Sequence, residues 1–236
     1  MDSPLAIILL TLLAGATIPL GGLLASVERI QPRWLEEDFR HFIIAFGGGA
    51  LLAAIALVLV PEGSAALPVW QIVLWFALGS LAFMGLDILL ARHNSPASQL
   101  TAMLSDFVPE ALALGAAAAG GGQAGLVLAL LIALQNLPEG FNAFREIRSA
   151  GAPTSKLLTT FSLLALLGPA CGLAGYHFLA GHDEVIGAIM LFAAGGILYL
   201  IFQDIAPQAK VERHWTPPLG AVAGFLLGLI GQLLLG

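Results

Sequence analysis

Charge is scarce in this sequence. Lysine and arginine together number nine, aspartate and glutamate fifteen, so only 10% of the 236 residues are charged, against roughly a quarter in ordinary soluble domains. Nucleic-acid binding, which rests on a dense field of basic side chains, has no support. Cysteine is rarer still: Cys171 stands alone inside an apolar run, which excludes a disulfide framework and a cysteine-built zinc site within one chain. The five histidines (His41, His93, His177, His182 and His214) all fall at or near the ends of apolar runs. No His-Glu-x-x-His is present, which argues against a metal hydrolase of that kind; neither enzymatic activity nor an organic cofactor is expected.

What the sequence has in excess is hydrocarbon. Hydrophobic residues make up 58% of the chain and the mean hydropathy is +0.93, so the solvent for most of it must be lipid. Apolar runs of about 20 residues, enough to cross a hydrocarbon core of roughly 30 Å, fall near residues 4–26 (α1), 41–61 (α2), 69–91 (α3), 100–119 (α4), 123–144 (α5), 157–179 (α6), 184–206 (α7) and 216–235 (α8). The first run opens on Asp2 and is long enough to span, so it reads as a helix and not as a cleaved signal peptide. The links are short, and the expectation is an all-α integral membrane protein of eight transmembrane helices, residues 1–236 forming a single transmembrane domain embedded in the bilayer. Gly120, Gly121 and Gly122 are expected to form a tight turn between α4 and α5.

The basic residues offer a second reading of the same count. Arg29, Arg33 and Arg40 follow α1, Arg92 ends α3, Arg145, Arg148 and Lys156 follow α5, and Lys210 and Arg213 follow α7. Short cytoplasmic loops carry the lysine and arginine excess. These links are therefore expected in the cytoplasm and both termini outside, which requires an even number of crossings. A faint repeat accompanies this pattern: Phe46, Gly49 and Pro61 in α2 recur at identical offsets as Phe192, Gly195 and Pro207 in α7. The two helices run in opposite directions, as in the inverted repeats of secondary transporters.

Against such a background, ionisable residues within the apolar runs mark pathways or sites, since each costs at least about 2.5–3.5 kcal/mol to insert. Five stand out: Asp87, Asp106, Glu110, Glu139 and Asp204. Asp106 and Glu110 share one face of α4 at i, i+4, with Pro109 between them. Gln135, Asn136 and Glu139 bracket Pro138 in α5 in the same manner. No lysine or arginine lies within the runs to neutralise three such carboxylates, so they must share protons or surround a cation. A divalent metal is the economical answer, with Asp106, Glu110, Gln135, Asn136 and Glu139 as its oxygen ligands and Glu62, Asp87 and Asp204 as candidates for the pathway. A metal-free, proton-coupled carrier of a small solute is the alternative that these residues leave open.

The stretch Gln135-Asn136-Leu137-Pro138-Glu139-Gly140 resembles the helix-5 signature of the ZIP (Zrt/Irt-like) metal transporters. The second Pro-Glu at Pro109 and Glu110, the Phe-Gly-Gly-Gly-Ala at residues 46–50 and the Gln-Asp-Ile-Ala-Pro at residues 203–207 are similar to segments of the same family. The resemblance implies a 3+2+3 arrangement of helices with inverted outer repeats and a metal path between α4 and α5 toward the cytoplasm. It also places Asp106, Glu110, Gln135, Asn136 and Glu139 at the positions of a binuclear metal centre.

The departures are specific. Where helix 4 of the family reads His-Asn-x-Pro-Glu, this chain has Asp106, Phe107, Val108, Pro109 and Glu110, and Pro169 stands near the place of the helix-6 glutamate. The histidine-rich link of the family is reduced to a few residues around His93. A single metal site is expected, with hard ligands suiting manganese or iron as well as zinc. The resemblance also admits a relative that keeps the fold without transport. The expected setting is the plasma membrane, or the inner membrane of a bacterium, with metal ions as partners and a homodimer as the assembly.

Overall fold

The structure, a computed structural model, describes residues 3–27, 33–93, 97–119, 124–179, 181–209 and 215–235. The expected turn at Gly120–Gly122, together with Arg29, Lys210, Arg213 and His214, lies outside these residues. Among the described residues every regular element is helical, with no strand. α1 runs over Pro4–Val27, α3 over Val69–His93, α4 over Ala97–Ala119, α5 over Ala124–Ser149 and α8 over Pro217–Leu235. The other three are composite. α2 joins Arg33–Ala54, a π turn at Ile55–Leu59 and Val60–Ala65; α6 joins Thr154–Ala165, Leu167–Ala174 and a π turn at Gly175–Leu179; α7 joins Asp183–Leu200, a π turn at Ile201–Ile205 and Ala206–Ala209.

Among the described residues seven helices are long and apolar enough to cross a membrane. In the remaining one, α4, the described apolar stretch is the shorter Phe107–Ala118. Two helices outrun their apolar cores. α2 begins at Arg33 and not near residue 41, because the charged stretch ahead of the core contains no helix breaker. α5 continues through Arg145 and Arg148 to Ser149, which puts both cations in its last turns, where the helix dipole favours positive charge. Gly151, at φ 96°, closes the turn that follows: its N–H donates to the Arg148 carbonyl at 3.0 Å, a conformation open mainly to glycine.

Helix pairing follows the inverted repeat. α1 packs on α5 and α4 on α6; α2 packs on α8 and α3 on α7; α2 also meets α5, and α4 meets α7. Exchanging α1 with α6, α2 with α7, α3 with α8 and α4 with α5 converts each of these contacts into another of the same set. Equivalent glycines make close approaches: Gly49 of α2 lies on the Ala221 carbonyl of α8, and Gly195 of α7 lies on the Phe76 carbonyl of α3. Small residues at such crossings are how membrane helices gain packing contact without a hydrophobic driving force.

The π turns obey the same offset. In α2 the Val60 N–H reaches back to the Ile55 carbonyl, and in α7 the Ala206 N–H reaches the Ile201 carbonyl. Both bonds span i to i−5, and each immediately precedes a proline, Pro61 or Pro207. Proline supplies no N–H and its ring crowds the carbonyl four residues back, so the ladder slips by one residue at that point. The core of the bundle is built chiefly on α5, whose Val127, Leu128, Leu131, Ile132, Phe141 and Phe144 are buried.

Candidate metal site

α4 and α5 bring Glu110 and Gln135 together in the centre of this core, both with 0% of their surface exposed. The Gln135 Nε2 donates to both carboxylate oxygens of Glu110, at 2.6 Å each. A single donor equidistant from two carboxylate oxygens has the geometry of a chelated cation. Asn136, one residue on, turns the other way: its Nδ2 donates to the Ala14 carbonyl of α1 at 3.1 Å, which ties α5 to α1. Glu139 lies one turn past Gln135, on the same face of α5. Of Asp106 only the backbone is described, so the third carboxylate of the expected cage lies outside the described side chains. Among those that are described, no three His, Cys, Asp or Glu side chains converge.

The distribution of hydrogen bonds is lopsided. Both carboxylate oxygens of Glu139, Oε1 of Gln135 and Oδ1 of Asn142 are buried without a hydrogen-bond partner. Buried polar atoms are nearly always paired, and each exception calls for an explanation. All four are acceptors, so what the site lacks is positive charge or donors. The sequence explains the shortage, because no lysine or arginine occurs between Arg92 and Arg145.

From Glu139 a cavity of about 100 Å³ leads toward the arginine-bearing end of the bundle, lined by Pro138, Glu139, Asn142 and Glu146 of α5, Asp204 and Gln208 of α7, and Gly47 and Gly48 of α2. Asp204 thus lines the same cavity as Glu139. Asn142, Glu146 and Gln208 are additions that sequence reasoning missed, although their spacing carries the signal: residues 139, 142 and 146 share one helical face, as do 204 and 208. Asp87 does not line this cavity. The Tyr199 hydroxyl donates to its Oδ2 at 3.1 Å, bridging α3 and α7. Tyr199→Phe is expected to lower the melting temperature by the equivalent of about 1 kcal/mol and to leave cation binding unchanged, as thermal unfolding in detergent with and without metal will show. Glu62 is exposed beyond Pro61, at the other end of the bundle, and stands apart from the site. Phe107 is buried with its ring tip over Gly15 and Gly168, where a Cβ on either glycine would overlap it.

Long apolar helices around a buried polar centre make this a multi-span membrane protein. A family model described as ZIP Zinc transporter matches residues 91–236, and the chain belongs to that family. It is 32% identical over 149 residues to the zinc transporter GufA of Myxococcus xanthus, covering 61% of this chain and 58% of that protein. It is 28% identical over 160 residues to the human zinc transporter SLC39A7, covering 64% of this chain and 33% of the human one. The matches therefore span less than two thirds of either relative.

Proposed function

We propose that the protein carries divalent metal cations across the membrane, through a site between α4 and α5. The observation that carries this reading is the excess of buried acceptors: four unpartnered oxygens along α5, the first on the Gln135 that holds the Glu110 carboxylate, with no lysine or arginine between Arg92 and Arg145. Glu110 and Glu139 are the charged ligands, and Asp106, four positions before Glu110 in the sequence, is the third expected. Gln135 contributes Oε1. Asn136, whose amide nitrogen is committed to α1, contributes Oδ1.

The whole chain acts as one transmembrane domain of eight crossings, set in the plasma membrane, or the inner membrane if the host is bacterial, with both termini outside and a homodimer as the assembly. Metal enters from the side of Glu62, is partly dehydrated at the site, and leaves into the cytoplasm through the outlet of Asn142, Glu146, Asp204 and Gln208. Phe107 stands where helix 4 of the family carries an asparagine, and Pro169 near the place of its helix-6 glutamate, which favours one cation at a time. Oxygen donors without histidine or cysteine suit manganese and iron as well as zinc. The names of the relatives favour zinc.

Uptake of radioactive zinc, and separately manganese, into proteoliposomes tests this. Saturable uptake by the wild type that the Glu110→Ala/Glu139→Ala variant lacks is the expected result, and the ratio of the two ions ranks selectivity. A folded wild type that moves neither ion overturns the reading.

A further inference from the structure

We propose that the π turns at Ile55–Leu59 and Ile201–Ile205 are paired hinges, each swinging the short helical arm that follows it and so opening one face of the membrane in turn. This rests on the transport reading above. The two turns occupy equivalent places in the repeat: turn, proline and packing glycine in α7 each lie 146 positions after their counterparts in α2. π turns interrupt the regular hydrogen-bond ladder and are frequent at functional sites, and prolines are where helices bend. The third π turn, at Gly175–Leu179, ends its helix and has no arm to move.

The stems before the hinges are fixed. Gly49 is locked to α8 and Gly195 to α3 by backbone contacts that leave no space for a Cβ, and Gly224 and Gly79 make the reciprocal contacts on Phe46 and Phe192. The arms differ. Val60–Ala65 lies at the end of the bundle away from the arginines, and it is seated: Gly63 backs onto Leu191 and the Gly187 carbonyl of α7. Ala206–Ala209 lies at the arginine-bearing end and borders open space on two sides. One is the cavity of about 100 Å³ that Glu139 lines; the other is a groove of about 530 Å³ walled by α2 (Gly48, Gly49), α7 (Ala206, Ala209) and α8 (Ala221, Phe225). Two equivalent arms, one seated on α7 and the other packed on α2 but flanked by cavities, describe a bundle closed more tightly at one face than at the other. Exchanging the two dispositions gives alternating access without disturbing the stems.

Ala56 and Phe202 are exposed members of the two turns at equivalent positions, and deleting either removes the extra residue and restores a continuous α-helix. Hydrogen–deuterium exchange of the intact protein in nanodiscs, with and without Mn²⁺, reads both arms. In the wild type Mn²⁺ is expected to change exchange in the two arms in opposite directions. Deleting Ala56 silences the response of Val60–Ala65 alone, and deleting Phe202 that of Ala206–Ala209 alone. Each deletion lowers manganese uptake at least about tenfold, while Mn²⁺ affinity by calorimetry stays within about twofold, since the coupling and not the site is lost.

Deletion variants that retain both the arm response and uptake overturn the hinges, as does one whose two arms lose their response together. A wild type that binds no Mn²⁺ overturns the transport reading, and this proposal with it. Should a deletion variant not fold, Pro61→Ala and Pro207→Ala, which return the missing N–H donor, are read in the same way.

Discussion

Replacing Glu139 by alanine is expected to abolish cation-dependent stabilisation and to raise the stability of the empty protein. The opposite signs follow from one fact: both carboxylate oxygens of Glu139 are buried and unpartnered. A buried carboxylate without partners costs free energy whether it stays charged or takes up a proton and keeps unpaired oxygens, a cost that the wild type carries when no cation is present and that alanine removes. With metal at about a hundred times Kd the wild type gains about 2.7 kcal/mol from binding; the variant gains close to none. Thermal unfolding of both proteins in chelator and in a zinc or manganese series measures the two effects separately. Equal metal-induced shifts in wild type and variant would sink the site. A variant that is also less stable in chelator assigns Glu139 to packing and not to binding. Glu110→Ala is expected to differ in the empty state, because Glu110 already accepts two hydrogen bonds from Gln135. Its loss leaves the Gln135 amide without that partner, so the empty protein gains less or is weakened.

This contrast between two carboxylates shows where sequence reading stops. Proline spacing placed Glu110 and Glu139 as counterparts on adjacent helices, and the i, i+4 rule put Gln135 on the face of Glu139. It carried no information on which way an amide turns. Gln135 and Asn136 are neighbours in sequence but about 100° apart around a helix, so one faces Glu110 and the other reaches α1. Long-range pairs were equally hidden: Tyr199 and Asp87 are 112 positions apart, and nothing local to either announces the other. Asn142, Glu146 and Gln208, which line the cavity beside Glu139, are legible in principle, but they sit near helix ends, where a polar residue usually needs no explanation beyond solvent.

At the level of the fold, lipid leaves a strong imprint on sequence, since a span must be apolar and about 20 residues long. What that imprint omits is the hydrogen-bond register. Ile55–Leu59 and Ile201–Ile205 are apolar runs like any other apart from Asp204 and Gln203, and a slip of one residue in the ladder leaves composition untouched. The prolines and the shared offset between α2 and α7 were the visible trace; the turns themselves required backbone geometry. The start of α2 was misplaced for a related reason. A cluster of charge marks the end of the hydrocarbon layer, but helices do not end where the hydrocarbon ends.

Gly195→Ala is expected to disrupt the α3–α7 pair, whereas Gly85→Ala, on α3 itself, is expected to be neutral or mildly stabilising. Glycine costs a helix roughly 1 kcal/mol relative to alanine, so both substitutions gain the same propensity term and differ only in what the new methyl meets. At Gly85 there is nothing within 4 Å. At Gly195 the methyl would lie inside contact distance of the Phe76 carbonyl, a backbone atom that moves only with its helix. The Ser80 hydroxyl, whose one proton is shared between the Gly195 carbonyl at 3.0 Å and the Phe76 carbonyl at 3.1 Å, would lose one of these acceptors as the helices separate. Overpacking of this kind typically costs 1–3 kcal/mol, and the upper part of that range is expected because α3 has little other protein to lean on: only 11% of its span is buried. Thermal unfolding and size-exclusion profiles of the two variants beside wild type decide the matter. Gly49→Ala should reproduce the Gly195→Ala result at the α2–α8 crossing, since Gly49 meets the Ala221 carbonyl in the same way. If Gly195→Ala melts with the wild type, the close crossing is not what holds α7 to α3, and the fixed stem on which the hinge of α7 depends loses its anchor.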